Sequence, residues 1–209
     1  SLYVQSNNII VDTVNYRSSH DALATRNGGL SVFTTIVIIT LYLYYNSNEL
    51  FDFSLIIPLS ILFTIGLYDD IYQVDFKLKF IFQIIIAKIL IDQGILIENL
   101  NGFFGLYEIP YMISQLLSIF LIVLIINAVN FSDGIDGLAI TEVIKGLIFI
   151  IILLQDYTFD SLNLLLLITI CSVLPLYFFN FKKNNKVFLG DSGSLLLGGI
   201  ISVGMIYLV

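Results

Sequence analysis

Residues 111–137 read YMISQLLSIFLIVLIINAVNFSDGIDG. From 111 to 129 there is no charged side chain and no strand-like alternation of apolar and polar residues. That length matches the roughly 20 apolar residues a helix needs to cross a hydrocarbon core about 30 Å thick. Backbone amides and carbonyls find no water in lipid, so a helix, which satisfies its own, is the expected form. The run then meets Asn130, Asp133 and Asp136, interrupted and followed by Gly134 and Gly137. Acidic groups at the end of a membrane helix are destabilising unless solvated, paired or bound to a cation, so they mark a candidate site.

The rest of the chain repeats this pattern. It is 58% hydrophobic and 12% charged, with a mean hydropathy of +0.97, where soluble domains carry about 25% charge. Seven apolar segments come near spanning length: 30–45, 52–68, 78–97, 111–129, 138–155, 162–180 and 193–209. Pro58 and Pro175 fall inside two of them, where local kinks are expected. No repeat, low-complexity tract or linker divides the sequence, so residues 1–209 read as a single all-α, polytopic helical membrane domain with about seven transmembrane helices. The net charge of −7 and the lack of a basic patch exclude nucleic acid as a partner. Cys171 is the only cysteine, which excludes an internal disulfide.

Arg17, Arg26, Lys77, Lys79, Lys182, Lys183 and Lys186 fall in alternate gaps, whereas 46–51, 98–110 and 156–161 hold no Lys or Arg. By the positive-inside rule the basic gaps face the cytoplasm. Lys88 and Lys145 lie within helices; Lys145 follows Glu142 by three residues and is expected to pair with it.

Three Gly-containing clusters share the basic side: Gly66-Leu67-Tyr68-Asp69-Asp70, the run from Asn127 to Gly137, and Phe188-Leu189-Gly190-Asp191-Ser192-Gly193-Ser194. Asp69 and Asp70 point about 100° apart on a helix, so one is expected to face the site while the other pairs with Lys77 or Lys79. Asn127 and Asn130 share a helical face at a C-terminal end, where carbonyls and the dipole suit a cation. An oxygen-only set of Asn and Asp suits Mg2+ or Mn2+. Gly190 to Ser194 instead opens a helix, where free amides favour phosphate oxygens. Arg26 with Gly28-Gly29 offers a guanidinium and backbone to a phosphate. His20 is the only histidine, which excludes a His-based metal cage.

Together the clusters resemble those of the polyprenyl-phosphate N-acetylhexosamine-1-phosphate transferases, closer to the O-antigen-priming branch through Asn15-Tyr16-Arg17-Ser18-Ser19-His20. The resemblance implies a longer fold of ten or eleven helices in the bacterial inner membrane, with its active site facing the cytoplasm. It implies transfer of sugar-1-phosphate from a UDP-N-acetylhexosamine to undecaprenyl phosphate with release of UMP, initiating a lipid-linked surface glycan. Members often pair as dimers, so a homodimer is open to this chain. By the same resemblance, Asp191 with Asn130 binds the metal, Mg2+ or Mn2+. Asp69 and Asp70 are catalytic. Asn127, Asp133, Asp136, Phe188, Lys77, Lys79 and Arg26 bind nucleotide or substrate, with Phe188 near the uracil.

The sequence departs from the family where Ala22-Leu23-Ala24-Thr25-Arg26-Asn27 replaces a Pro-Thr-Pro-Arg-Gly loop. The opening at Ser1 and the stop at Val209 within an apolar run lead us to expect a fragment truncated at both ends. It ends before the family's His-rich sugar-nucleotide loop, and so is expected to be incomplete for catalysis. A different class, an ion-coupled transporter with an acidic cation site, needs carboxylates near the midplane, whereas these lie at helix ends. A CDP-alcohol phosphotransferase needs further Asp and Arg residues that do not follow Asp136.

Overall fold

The computed structural model describes residues 11–12, 24–46, 53–102, 105, 107–135, 137–154, 160–181 and 186–209. Among the described residues seven helices carry the fold: α1 (Gly28–Tyr45), α2 (Phe53–Tyr72), α3 (Phe76–Asp92), α4 (Tyr111–Ser132), α5 (Leu138–Leu153), α6 (Asp160–Asn180) and α7 (Gly190–Ile206). The all-α, polytopic membrane reading holds. Four of the described helices, α1, α2, α4 and α6, are long and apolar enough to cross a membrane by themselves. At 17, 16 and 17 residues, α3, α5 and α7 are shorter. At 1.5 Å per residue they fall a few ångströms short of a core about 30 Å thick. α2 and α6 run through Pro58 and Pro175 as single helices.

Short strands add a small three-stranded sheet: β1 (Val11–Asp12), β2 (Ala24–Thr25) and β3 (Lys186–Val187), with β1 antiparallel and β3 parallel to β2. It ties the segment before α1 to the segment before α7. Gly28 N–H and Gly29 N–H, free at the start of α1, donate to the Phe188 and Leu189 carbonyls at 3.0 and 2.8 Å.

α7 is the central helix. It is buried nearly all round and packs against α1, α2, α4 and α5. Burying every face requires small residues, because apolar helices in lipid associate through close packing rather than hydrophobic contrast. A Cβ on Gly29 would stand 2.2 Å from Gly193 N, so α1 crosses α7 backbone to backbone. A Cβ on Gly66 would stand 2.3 Å from Asp191 O, so α2 does the same at the start of α7. Below these crossings Leu62, Ile86, Ile122, Ile126, Leu147 and Leu197 are sealed in the core. Ile38, Tyr42, Leu116, Phe120 and Phe178 point outward, as a hydrocarbon surrounding favours.

One expected boundary is corrected. The apolar segment 78–97 does not remain helical to its end: α3 stops at Asp92, and Gly94 takes a left-handed φ of 92°. Ile95 and Ile97 still bury, because Ser118 Oγ accepts from Ile97 N–H at 2.9 Å and Ser114 Oγ donates to the Ile97 carbonyl. Hydropathy registers burial, and here burial continues in an extended strap held by two α4 serines.

Candidate active site

The ends of α2, α4 and α6 and the beginnings of α1, α3, α5 and α7 meet at one pole of the bundle. Asp69 and Asp70 close α2, both buried. Gln73 takes a left-handed φ of 54°, and the turn brings Val74 N–H onto Asp69 Oδ1 at 2.5 Å. Asp75 caps α3 by accepting from Lys77 N–H at 3.2 Å. Lys77 and Lys79 stand two residues apart, about 200° around the helix, so only one can face inward. Lys79 is that one, donating from Nζ to Asp69 Oδ2 at 2.8 Å and to Asp191 Oδ2 at 2.9 Å. Lys77 is exposed, its ammonium 6.0 Å from the centre of the Phe76 ring.

Asp191 has its other oxygen engaged as well. Asn130 Nδ2 donates to Asp191 Oδ1 at 2.9 Å and to Ser194 Oγ at 2.8 Å. Asn130 Oδ1 remains as an oxygen donor beside the carboxylate. Asn127, one turn earlier, is drawn into packing instead. Its Nδ2 donates to Gln83 Oε1 at 2.6 Å and to the Val123 carbonyl at 2.7 Å, while Gln83 Nε2 returns a longer bond of 3.5 Å. This amide pair bolts α3 to α4 just beneath the cluster.

The N-terminus of α7 departs from expectation. Its amides were expected to face phosphate, but they meet carboxylates. Asp70 Oδ1 accepts from Asp191 N–H and Asp70 Oδ2 from Ser192 N–H, each at 2.9 Å. Gly190 N–H donates to Asp133 Oδ2 at 2.9 Å. Negative charge is favoured at this end of a helix, and Asp70 supplies it from within the chain, on two of these three amides. Likewise the Gly28 and Gly29 amides, expected beside a phosphate with Arg26, hold the 188–189 backbone. Partial burial holds the Asp133 carboxyl well above the usual carboxylate range, opposed by the Gly190 amide and the charge of Arg26.

Phe188 is buried, with Lys186 Nζ 5.3 Å from its ring centre. Asp136 lies outside the described residues. Lys145 pairs with Glu142 at 2.6 Å, as its spacing implied, and Lys88 pairs with Asp92 on its own helix. Sequence reading passed over Asn180, at the end of α6. Its Oδ1 accepts from Gly137 N–H at 2.6 Å and its Nδ2 donates to the Val187 carbonyl at 3.1 Å, joining α5 to β3. An asparagine closing an apolar helix was the only signal for it.

Among the described residues no three His, Cys, Asp or Glu side chains converge on one point as a metal cage. The donors at the cluster are the Asp191 and Asp69 carboxylates, Asn130 Oδ1 and Ser194 Oγ, all oxygens. That set fits Mg2+ or Mn2+, which use one or two carboxylates and complete their shell with water and substrate phosphates. Beside the cluster, between α2 and α3, Thr64, Ile65, Tyr68, Val74, Leu78 and Phe82 line an apolar cavity of ≈ 340 Å³.

Residues 53–209 match the family described as Glycosyl transferase family 4. A probable undecaprenyl-phosphate N-acetylglucosaminyl 1-phosphate transferase of Bacillus subtilis (strain 168) is 32% identical over 197 residues, covering 92% of this chain and 54% of the relative. The undecaprenyl-phosphate alpha-N-acetylglucosaminyl 1-phosphate transferase of Escherichia coli (strain K12) is 30% identical over 202 residues, covering 90% and 52%. A decaprenyl-phosphate N-acetylglucosaminephosphotransferase of Mycobacterium leprae (strain TN) is 36% identical over 145 residues, covering 64% and 36%. The chain thus spans about half the length, or less, of the curated relatives it matches.

Proposed function

The chain belongs to glycosyl transferase family 4, and from that premise we propose that it transfers N-acetylhexosamine-1-phosphate from a UDP-sugar to a polyprenyl phosphate, releasing UMP. Undecaprenyl phosphate is the acceptor we favour, and priming of a lipid-linked surface glycan such as O-antigen is the role. The observation that carries this reading is the Asp69–Lys79–Asp191–Asn130 cluster, built from four helix ends and partly buried. Its sidedness, with Arg26, Lys79 and Lys186 at the same pole, supports a site facing the cytoplasm of a bacterial inner membrane. The names of the relatives support the sugar and the acceptor class.

A phosphate monoester is largely dianionic at neutral pH, its second pKa being near 6, so the lipid phosphate needs little help from a base. Its oxygen attacks the β-phosphorus of the UDP-sugar, the bond to the bridging oxygen breaks, and that oxygen departs with UMP. Catalysis then rests on positioning and charge neutralisation. Asp191 and Asn130 are the residues that would hold Mg2+ or Mn2+, whose chemistry is to neutralise charge on the diphosphate. Asp69 and Asp191 share the Lys79 ammonium, and Asp70 and Asp133 hold the start of α7 in place. Phe188 and Arg26 are kept for the nucleotide, together with Asp136. The apolar cavity beside Asp69 suits the first isoprene units of the acceptor. A homodimer is the assembly we propose.

In the intact protein, Asp191→Asn is expected to abolish UMP release from UDP-N-acetylhexosamine. Retained release refutes the metal role of Asp191. Cation flux in liposomes without UMP release favours the transporter reading instead.

A further inference from the structure

The Lys79 ammonium stands where a cation is wanted. It touches one oxygen of Asp69 on α2 and one of Asp191 on α7, helices separated by more than a hundred residues of sequence. Both carboxylates are otherwise held by neutral donors: Asp69 by Val74 N–H, Asp191 by Asn130 Nδ2. Without the ammonium, two carboxylates would share one cleft with no positive charge between them, an arrangement that membrane depth makes more destabilising. The three side chains differ in freedom. Asp69 is 8% exposed and Asp191, though 23% exposed, is fixed by Asn130, whereas Lys79, 20% exposed, sits on a flexible four-carbon stem in the first turn of α3.

We propose that Lys79 is a built-in counter-cation of the Asp69–Asp191 pair, displaced into solvent when a divalent ion binds. The proposal rests on the metal reading given under Proposed function. It makes Lys79 a positioning residue with two stations, one that offsets part of the negative charge of the empty carboxylates and one that frees them. Because the ammonium competes for the same oxygens, it sets the divalent affinity low. The ion then binds best together with a diphosphate, which adds oxygens of its own.

The test is Mn2+ binding to the intact protein in detergent, followed by electron paramagnetic resonance with no nucleotide present. Lys79→Met is expected to bind Mn2+ at least tenfold more tightly than wild type, and Lys79→Arg no more tightly than wild type. A lysine with a merely structural role would weaken binding when removed, so the sign of the change decides. If Lys79→Met does not fold, as judged by gel filtration and circular dichroism, Lys79→Gln carries the same expectation in a polar side chain of similar reach. Equal or weaker Mn2+ binding by the neutral variants, with binding still lost in Asp191→Asn, overturns the counter-cation role alone. Mn2+ binding that Asp191→Asn leaves intact overturns the metal reading itself, and the counter-cation role with it.

Discussion

Asp70→Ala separates a structural from a catalytic role for the second aspartate of the pair. Both Asp70 oxygens accept backbone amides from α7, Asp191 N–H and Ser192 N–H at 2.9 Å, and the residue is only 8% exposed. Losing the cap alone sets a floor near 1 kcal/mol, the usual effect of an N-cap substitution. Two buried donors left without acceptors cost about 1–3 kcal/mol each, so a total of about 2–6 kcal/mol, cap included, is expected. For a chain of this size, at roughly 2–4 °C per kcal/mol, that corresponds to a melting temperature lowered by roughly 4–24 °C. Asp70→Asn keeps one side-chain oxygen and should lose about half as much. Thermal unfolding in detergent, followed by circular dichroism, reads both variants. If Asp70→Ala melts within about 2 °C of wild type while UMP release collapses, Asp70 is catalytic and the capping argument is wrong.

Gly66→Ala places a methyl group 2.3 Å from Asp191 O, a backbone atom that cannot rotate away. It should destabilise by about 1–3 kcal/mol or more and lower UMP release; a wild-type melting curve would count against the packing described. A double-mutant cycle of Gln83→Leu and Asn127→Leu should return a coupling of about 0.6–1.7 kcal/mol, as for other interhelical side-chain bonds in membranes. A coupling of zero would mean that this pair does not bolt α3 to α4. Asn180→Ala leaves Gly137 N–H without its acceptor, and a loss of about 1–3 kcal/mol is expected. Asp133 gives a pH dependence. Its pKa is raised on folding, so its stabilising contribution is complete in acid and is lost as pH rises through the folded value. Asp133→Asn stays neutral and keeps an oxygen for Gly190 N–H, so its melting temperature should gain on wild type as pH rises above the ordinary carboxylate range. A gap that narrows over that rise contradicts the raised pKa.

Much of this molecule can be read directly from the chain. Uncharged runs such as 111–129 must be helices in lipid, since nothing else satisfies their backbone there. The alternation of basic and non-basic gaps brings the three acidic clusters to one pole, and that pole is where the described site assembles. Where α3 ends was less legible, because Ile95 and Ile97 bury as well in an extended strap as they would in a helix.

The residue types of the site were legible too, but not their partners. Asp69 and Asp70 are adjacent and chemically identical, yet one receives an ammonium and the other a helix terminus. Lys77 and Lys79, or Asn127 and Asn130, are equally indistinguishable in a local pattern. Their roles turn on how each helix is rotated when α7 settles against Gly29 and Gly66. Helix formation is a local matter of hydrocarbon length and backbone satisfaction, so the sequence by itself determined it. The choice of which carboxylate meets which donor depends on contacts across 112 and 122 residues of chain, and only the packed tertiary structure, which brings those surfaces within hydrogen-bond reach, decided it.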